Sequence, residues 1–352
     1  MDWALPEITG KVGTITTAAA TGLALGGRLG YLKTMDELQL LNDWIPIALA
    51  AATGGHLTVL NWLTTTRYWP GDLKVKFAMN MNRALYAAAK NGHLDTVIWF
   101  KDYLPSLGEA YCGAGEGGHL DILKWLKKNN TGYRRNPSQF AAKSGNLEAL
   151  LWFKENGFPW TQETINGAAI GGKLETYLYL VNNGAPVNTT YITDYASCSG
   201  NIQLIEYLHK SGRKTKSCAI AAEKGHLEAV KWLRKENVAW GENAAKLAAM
   251  GGYLPVVRYV LENGFPYTPD CASLAAKRGH LEVLQYLHEK GYEIDEECSS
   301  NAAENGYLDI LQWLHRNGYK MASNCYSLAA NNGDFKTMKY LADIGEAKEN
   351  ML

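Results

Sequence analysis

The feature that most limits how this chain can fold is a repeat. Ala275-Ala276-Lys277-Arg278-Gly279-His280-Leu281-Glu282 is one copy of a pattern written along almost the whole sequence. Ala248-Ala249-Met250-Gly251-Gly252-Tyr253-Leu254 precedes it, and Ala302-Ala303-Glu304-Asn305-Gly306-Tyr307-Leu308 follows. Copies anchored on the glycine before the His/Tyr-Leu pair stand at Gly27, Gly55, Gly92, Gly118, Gly145, Gly172, Gly200, Gly225, Gly252, Gly279, Gly306 and Gly333. The period is about 27 residues, with one outlier of 37 between Gly55 and Gly92. A unit this small cannot bury its apolar face alone. It must stack on its neighbours, which is the logic of a solenoid.

Each unit reads as two short helices. In the tenth copy Cys271, Leu274, Ala275 and Ala276 keep helical spacing, and Thr268-Pro269-Asp270 supplies a start with proline in the first turn. Gly279 ends that helix. The second helix carries Leu281, Val283, Leu284, Tyr286 and Leu287 on one wide face and stops at Gly291, a residue that tolerates a left-handed backbone. Asn156-Gly157, Asn183-Gly184, Asn263-Gly264 and Asn317-Gly318 are the same stop elsewhere.

The remaining conspicuous residues also obey the period. The seventh residue after the anchor glycine is aromatic in eleven copies, from Trp62 and Trp99 through Tyr286, Trp313 and Tyr340. The stripe shares a face with leucines, so it is expected to be core between repeats rather than a recognition surface. All eight histidines fall on two positions: His56, His93, His119, His226 and His280 follow the glycine, while His209, His288 and His315 lie nine residues after it. Cys218, Cys271, Cys298 and Cys325 occupy a small-residue slot of the first helix. No C-x-x-C pair brings cysteines together, so neither disulfides nor zinc are expected. Gly113-Ala114-Gly115-Glu116-Gly117-Gly118 has the spacing of a dinucleotide fingerprint, but that signal needs a strand before it, and here it fills a first-helix slot. No metalloprotease, Walker or nucleophile-elbow motif appears. The expectation is a non-enzyme with no cofactor.

Ala141-Ala142-Lys143-Ser144-Gly145-Asn146-Leu147-Glu148 and Ala221-Ala222-Glu223-Lys224-Gly225-His226-Leu227-Glu228-Ala229-Val230 resemble the A-A-x-x-G-H-x-E-hydrophobic core of the ankyrin repeat. Two departures are visible. The usual unit has about 33 residues, and the Thr-Pro-Leu-His tetrapeptide is absent. The short unit, with its Trp-Leu-x-x-Asn-Gly flavour, resembles ankyrin arrays of giant DNA viruses, amoebae and oomycetes. The resemblance implies an all-α fold, an ankyrin-type α-solenoid of about twelve stacked helix-turn-helix repeats with shortened or absent β-hairpin fingers. The expected boundaries are an N-terminal cap or extension over 1–16, the solenoid over 17–345, and a C-terminal tail over 346–352.

Function is less legible. The chain balances 35 basic against 35 acidic residues, so no charge steers it to nucleic acid or membrane. No apolar run is long enough to span a bilayer. The family implies a non-catalytic scaffold that binds a protein partner through a concave face and loops, monomeric unless it joins an assembly. It would sit inside the cell, most simply in the cytoplasm, or in the host cytoplasm or virion if the chain is viral. A structural component of a large assembly and a substrate adaptor for a ubiquitin ligase are the alternatives. Candidate contacts come from departures from the repeat. The outlier spacing implies a loop insertion near 64–81 that carries Arg67, Tyr68, Trp69, Lys74 and Lys76. It is either a binding loop or a loop packed back on its neighbours. The basic turns Arg134-Arg135 and Arg213-Lys214 are the other candidates.

Overall fold

The computed structural model describes residues 17–38, 40–41, 44–66, 71–133, 135–187 and 191–349, with the backbone alone for 66, 71–79 and 346–349. Among these residues every regular element is a helix, and the helices come in pairs. The first pair is 17–25 with Leu29–Glu37. The second is Trp44–Thr53 with Leu57–Thr66, and the third Gly71–Lys90 with Leu94–Trp99, the latter closed by a 3-10 turn at Phe100–Asp102. From the fourth pair (Gly108–Gly117, Leu120–Lys128) to the eleventh (Glu297–Glu304, Leu308–Arg316) the second helix is always nine residues. The chain divides into two compact bodies, residues 1–188 and 189–352.

Small residues and leucines explain how the pairs pack. First helices bury alanines, such as Ala248, Ala249, Ala275 and Ala276, so neighbouring backbones approach closely. Second helices bury a branched trio, for example Val283, Leu284 and Leu287. The closest approaches need glycine. A Cβ on Gly113 would lie 2.2 Å from the Tyr86 carbonyl oxygen of the preceding first helix. Gly113, Gly115 and Gly117 are therefore helix-packing surface inside Gly108–Gly117, and Gly118 is its left-handed cap.

All twelve anchor glycines adopt positive φ, from 64° at Gly172 to 86° at Gly145. The twelfth residue after the anchor is also left-handed at Gly157, Gly184, Gly212, Gly264, Gly291 and Gly318, and Asn130 and Asn237 take the same conformation where glycine is missing. The asparagine before that stop returns a side-chain bond to the last turn: Asn156, Asn183, Asn263 and Asn317 donate to the carbonyls of Trp152, Tyr179, Tyr259 and Trp313.

Where the residue after the anchor glycine is histidine, it links one repeat to the one before. His119 Nε2 lies 2.9 Å from the Lys90 carbonyl oxygen, His93 Nε2 2.9 Å from that of Thr53, and His56 Nε2 2.8 Å from that of Leu25. In the C-terminal body His226 reaches Cys198 at 2.9 Å and His280 reaches Met250 at 3.1 Å. Each acceptor lies two residues before the preceding anchor glycine, among the carbonyls a helix C-terminus leaves unpaired. A carbonyl only accepts, so Nε2 carries the proton. Asn146 does the same for Glu116. The ring also lies flat on the preceding glycine: a Cβ at Gly252 would fall 2.4 Å from His280 Nδ1. Five of the eight histidines are thus structural straps.

Three expectations need correction. The segment expected as a loop near 64–81 is helical from Gly71 onward, as one 20-residue helix, Gly71–Lys90. Nothing between Asp72 and Lys90 is glycine or proline, and Leu73, Phe77, Met81, Leu85 and Ala88 keep a three-to-four-residue rhythm, so the helix has no reason to stop. The tail expected from 346 is helical through Glu349, within Phe335–Glu349, because the run Glu346-Ala347-Lys348-Glu349 consists of good helix formers. The aromatic stripe is less buried than a core ladder. Trp62 and Tyr286 are buried, but the other nine members are half-buried. The next residue along, such as Phe100, Phe153, Leu180 or Leu233, takes the fully buried place. The aromatic ring lies one step round the helix, on the rim of the interface. The expected N-terminal cap over 1–16 lies outside the described residues.

Candidate interaction groove

The first helices of repeats two to five and the turn before the fifth frame an open groove of about 610 Å³ within the N-terminal body. Leu49 and Thr53 come from Trp44–Thr53, while Asn82, Arg83, Tyr86 and Ala87 come from the long Gly71–Lys90 helix. Glu109 stands in the first turn of Gly108–Gly117. Arg135 and Phe140 come from the turn and start of Ser138–Ser144. The floor is apolar and aromatic. Tyr86 and Phe140 meet edge to face, with centroids 5.9 Å apart, an arrangement that favours both rings.

Charge in the groove is unevenly used. Arg135 Nη2 lies 2.5 Å from Glu109 Oε2, and its guanidinium sits 5.0 Å above the Phe140 ring. The Glu109 hydrogen bond raises the already high pKa of Arg135 further. Lys90 Nζ pairs with Glu116 Oε1 at 2.9 Å along the same two helices. Arg83 is exposed, and among the described residues it makes neither an ion pair nor a hydrogen bond. The carboxylates near the groove are thus occupied and one guanidinium is not.

The structure describes the side chains of three sequence candidates, Arg135, Arg213 and Lys214. Arg135 is in the groove. Arg67, Tyr68, Trp69 and Arg134 lie outside the described residues, as do the side chains of Lys74 and Lys76, whose backbone belongs to the Gly71–Lys90 helix. Arg213 and Lys214 belong to the C-terminal body. Arg213 Nη1 donates to Ser211 Oγ at 3.2 Å and its Nε is enclosed without a partner, whereas Lys214 is exposed. Tyr86, Arg83 and Phe140 were not expected. Their repeat positions do not mark them out: the slot of Arg83 is usually polar, as at Asp270 and Asn324, and that of Phe140 is often leucine, as at Leu247 and Leu274.

A second, smaller concavity of about 300 Å³ surrounds Phe158, Pro159 and Trp160. Its chief ring is already engaged: Lys154 Nζ lies 4.0 Å over Trp160, whose Nε1 donates to the Leu150 carbonyl at 3.3 Å. The cysteines are inert thiols by environment. Burial pushes Cys112 up to about 12 and Cys218 up to about 11. Among the described residues no three His, Cys, Asp or Glu side chains gather to hold a metal, and no helix is long and apolar enough to cross a membrane.

Comparison with known proteins matches part of the chain to a family model. The description "Ankyrin repeats (3 copies)" matches residues 218–298. No curated protein matches the sequence. Among solved structures, the human ASB11 ankyrin repeat domain is similar, at 19% identity and TM-score 0.29, over 53% of this chain and 85% of that one. The maize pentatricopeptide repeat protein PPR10 aligns at 12% identity and TM-score 0.34, over 96% of this chain and 59% of that one. These superpositions are loose.

Proposed function

We propose that this chain, an ankyrin-repeat protein, binds a protein partner in the groove formed by its first helices in repeats two to five. Ankyrin repeats in general mediate contacts between proteins, and the role proposed is binding without catalysis. The observation that carries the reading is the groove itself, where Tyr86 and Phe140 form an aromatic floor beside an uncompensated arginine. Tyr and Arg are the residue types that anchor interfaces. They stand on helices strapped to one another, so little ordering entropy is lost when a partner docks. The open shape suits a polypeptide better than a small molecule, which is usually enclosed on most of its surface.

Site-specific photo-crosslinking tests this. A photoreactive residue placed at Asn82, exposed in the groove, should join the chain to one discrete protein. The same residue at Tyr103, exposed beyond a second helix, should not. Crosslinks from Tyr103 alone would place the binding surface elsewhere. Lys214 in the C-terminal body is a secondary candidate contact, and Lys74 and Lys76 are further candidates.

A further inference from the structure

Resting on the groove as the binding surface, we infer the chemistry of its occupant: an acidic peptide segment that pairs a carboxylate with Arg83 and lays an apolar side chain on the Tyr86–Phe140 floor. The argument is charge complementarity. Of the two guanidiniums lining the groove, Arg135 already holds Glu109 at 2.5 Å, and a partner carboxylate would have to displace that neighbour. Arg83 has none to displace. The Arg135–Glu109 pair beside the Phe140 ring shows the kind of contact the groove supports, a carboxylate met by a planar guanidinium next to an aromatic face. Guanidinium geometry suits a carboxylate bidentately.

The apolar half of the occupant follows from the floor. Leu49, Ala87, Tyr86 and Phe140 offer no charged group to a side chain laid across them. A basic segment would meet Arg83 with like charge and find Glu109 taken. Nucleic acid is the other polyanion to weigh. It calls for several uncompensated cations along a track, and the described groove has one, beside two carboxylates already in ion pairs.

The experiment uses the full chain and labelled peptides read by fluorescence anisotropy. One peptide alternates Glu with Leu and ends in Trp, the second replaces every Glu by Lys, and an unlabelled uridine oligonucleotide serves as competitor. The acidic peptide should bind at least about tenfold more tightly than the basic one, a difference of roughly 1.4 kcal/mol. Arg83→Glu should reverse that preference, and Arg83→Ala should remove it. Added salt should weaken the acidic complex. Tyr86→Ala reports on the groove independently of charge and should weaken both peptides. If Tyr86→Ala weakens binding but Arg83→Glu leaves the preference intact, the charge inference falls while the groove reading stands. If neither substitution matters, the groove reading falls with it. Failure of the acidic peptide to bind, or its displacement by the oligonucleotide, overturns the inference. Circular dichroism melts of each variant separate these results from misfolding.

Discussion

His280 donates its Nε2–H to the Met250 carbonyl across the boundary between two repeats. Removing the ring leaves that carbonyl without its partner and uncovers Gly252. His280→Ala should therefore lower stability by about 1–3 kcal/mol in denaturant titrations. His280→Asn should recover part of this loss, because Asn146 makes the equivalent bond in its own repeat. Equal losses for the two variants would mean that ring packing, not the hydrogen bond, holds the joint. Gly113→Ala is a sharper test of close packing, since its Cβ would meet backbone at 2.2 Å and the helices must part. A loss of about 1–3 kcal/mol is expected. The cysteines give a pH dependence. Cys112 and Cys218 ionise at about 12 and 11 in the fold, against an ordinary value near 9. A folded pKa above the unfolded one means that the unfolded chain loses its protons first. Stability is therefore complete below pH 9 and erodes as pH rises from 9 through 11 to 12. Below pH 9 these thiols should react with a thiol reagent only when the chain is unfolded. Rapid labelling of the native protein at pH 8 would contradict the burial.

Among the elements, the long Gly71–Lys90 helix departs most from the repeat plan. Ala78→Pro separates a helix from a loop there. In a helix interior it should cost about 3 kcal/mol, and in a loop it would be close to neutral. The aromatic row permits a graded test along equivalent positions. Tyr286 is buried at 3% exposure, whereas Tyr179 is half-buried. Tyr286→Ala should cost about 3–5 kcal/mol and Tyr179→Ala roughly half as much, since the apolar gain follows the area removed from water. What the sequence made legible at this scale was the unit: two helices, the left-handed glycines at Gly279 and Gly291, and the small-residue slot of Cys271 and Cys298. These depend on spacing within one copy, and twelve copies reinforce one another. What it hid was anything requiring contact between copies. His280 reads as a residue after a glycine, and only stacking shows that its ring caps the repeat before it. The half-burial of Trp152 beside the full burial of Phe153 depends on a rotation of a fraction of a helical turn, which periodicity does not resolve.

At the scale of the whole molecule, repetition and function pull in opposite directions. Repeats stabilise each body by sameness, with the same glycine throughout and the same strap at five histidines and Asn146. Recognition has to come from the positions that break the pattern. The sequence pointed to breaks in the turns and in the long interval, and Arg135 is the one of those candidates that the structure places in the groove. Arg83 and Tyr86 stand on one first helix and Phe140 on another, and only laying those helices side by side brings them into one groove. We propose that a partner docks in this groove. Hydrogen exchange followed by mass spectrometry, with and without the protein crosslinked from Asn82, decides it. Slowed exchange is expected on complex formation over 82–87 and 135–140, with 94–103 and 120–128 unchanged. Protection confined to those second helices, with the 82–87 and 135–140 stretches exchanging as in the free protein, would contradict it.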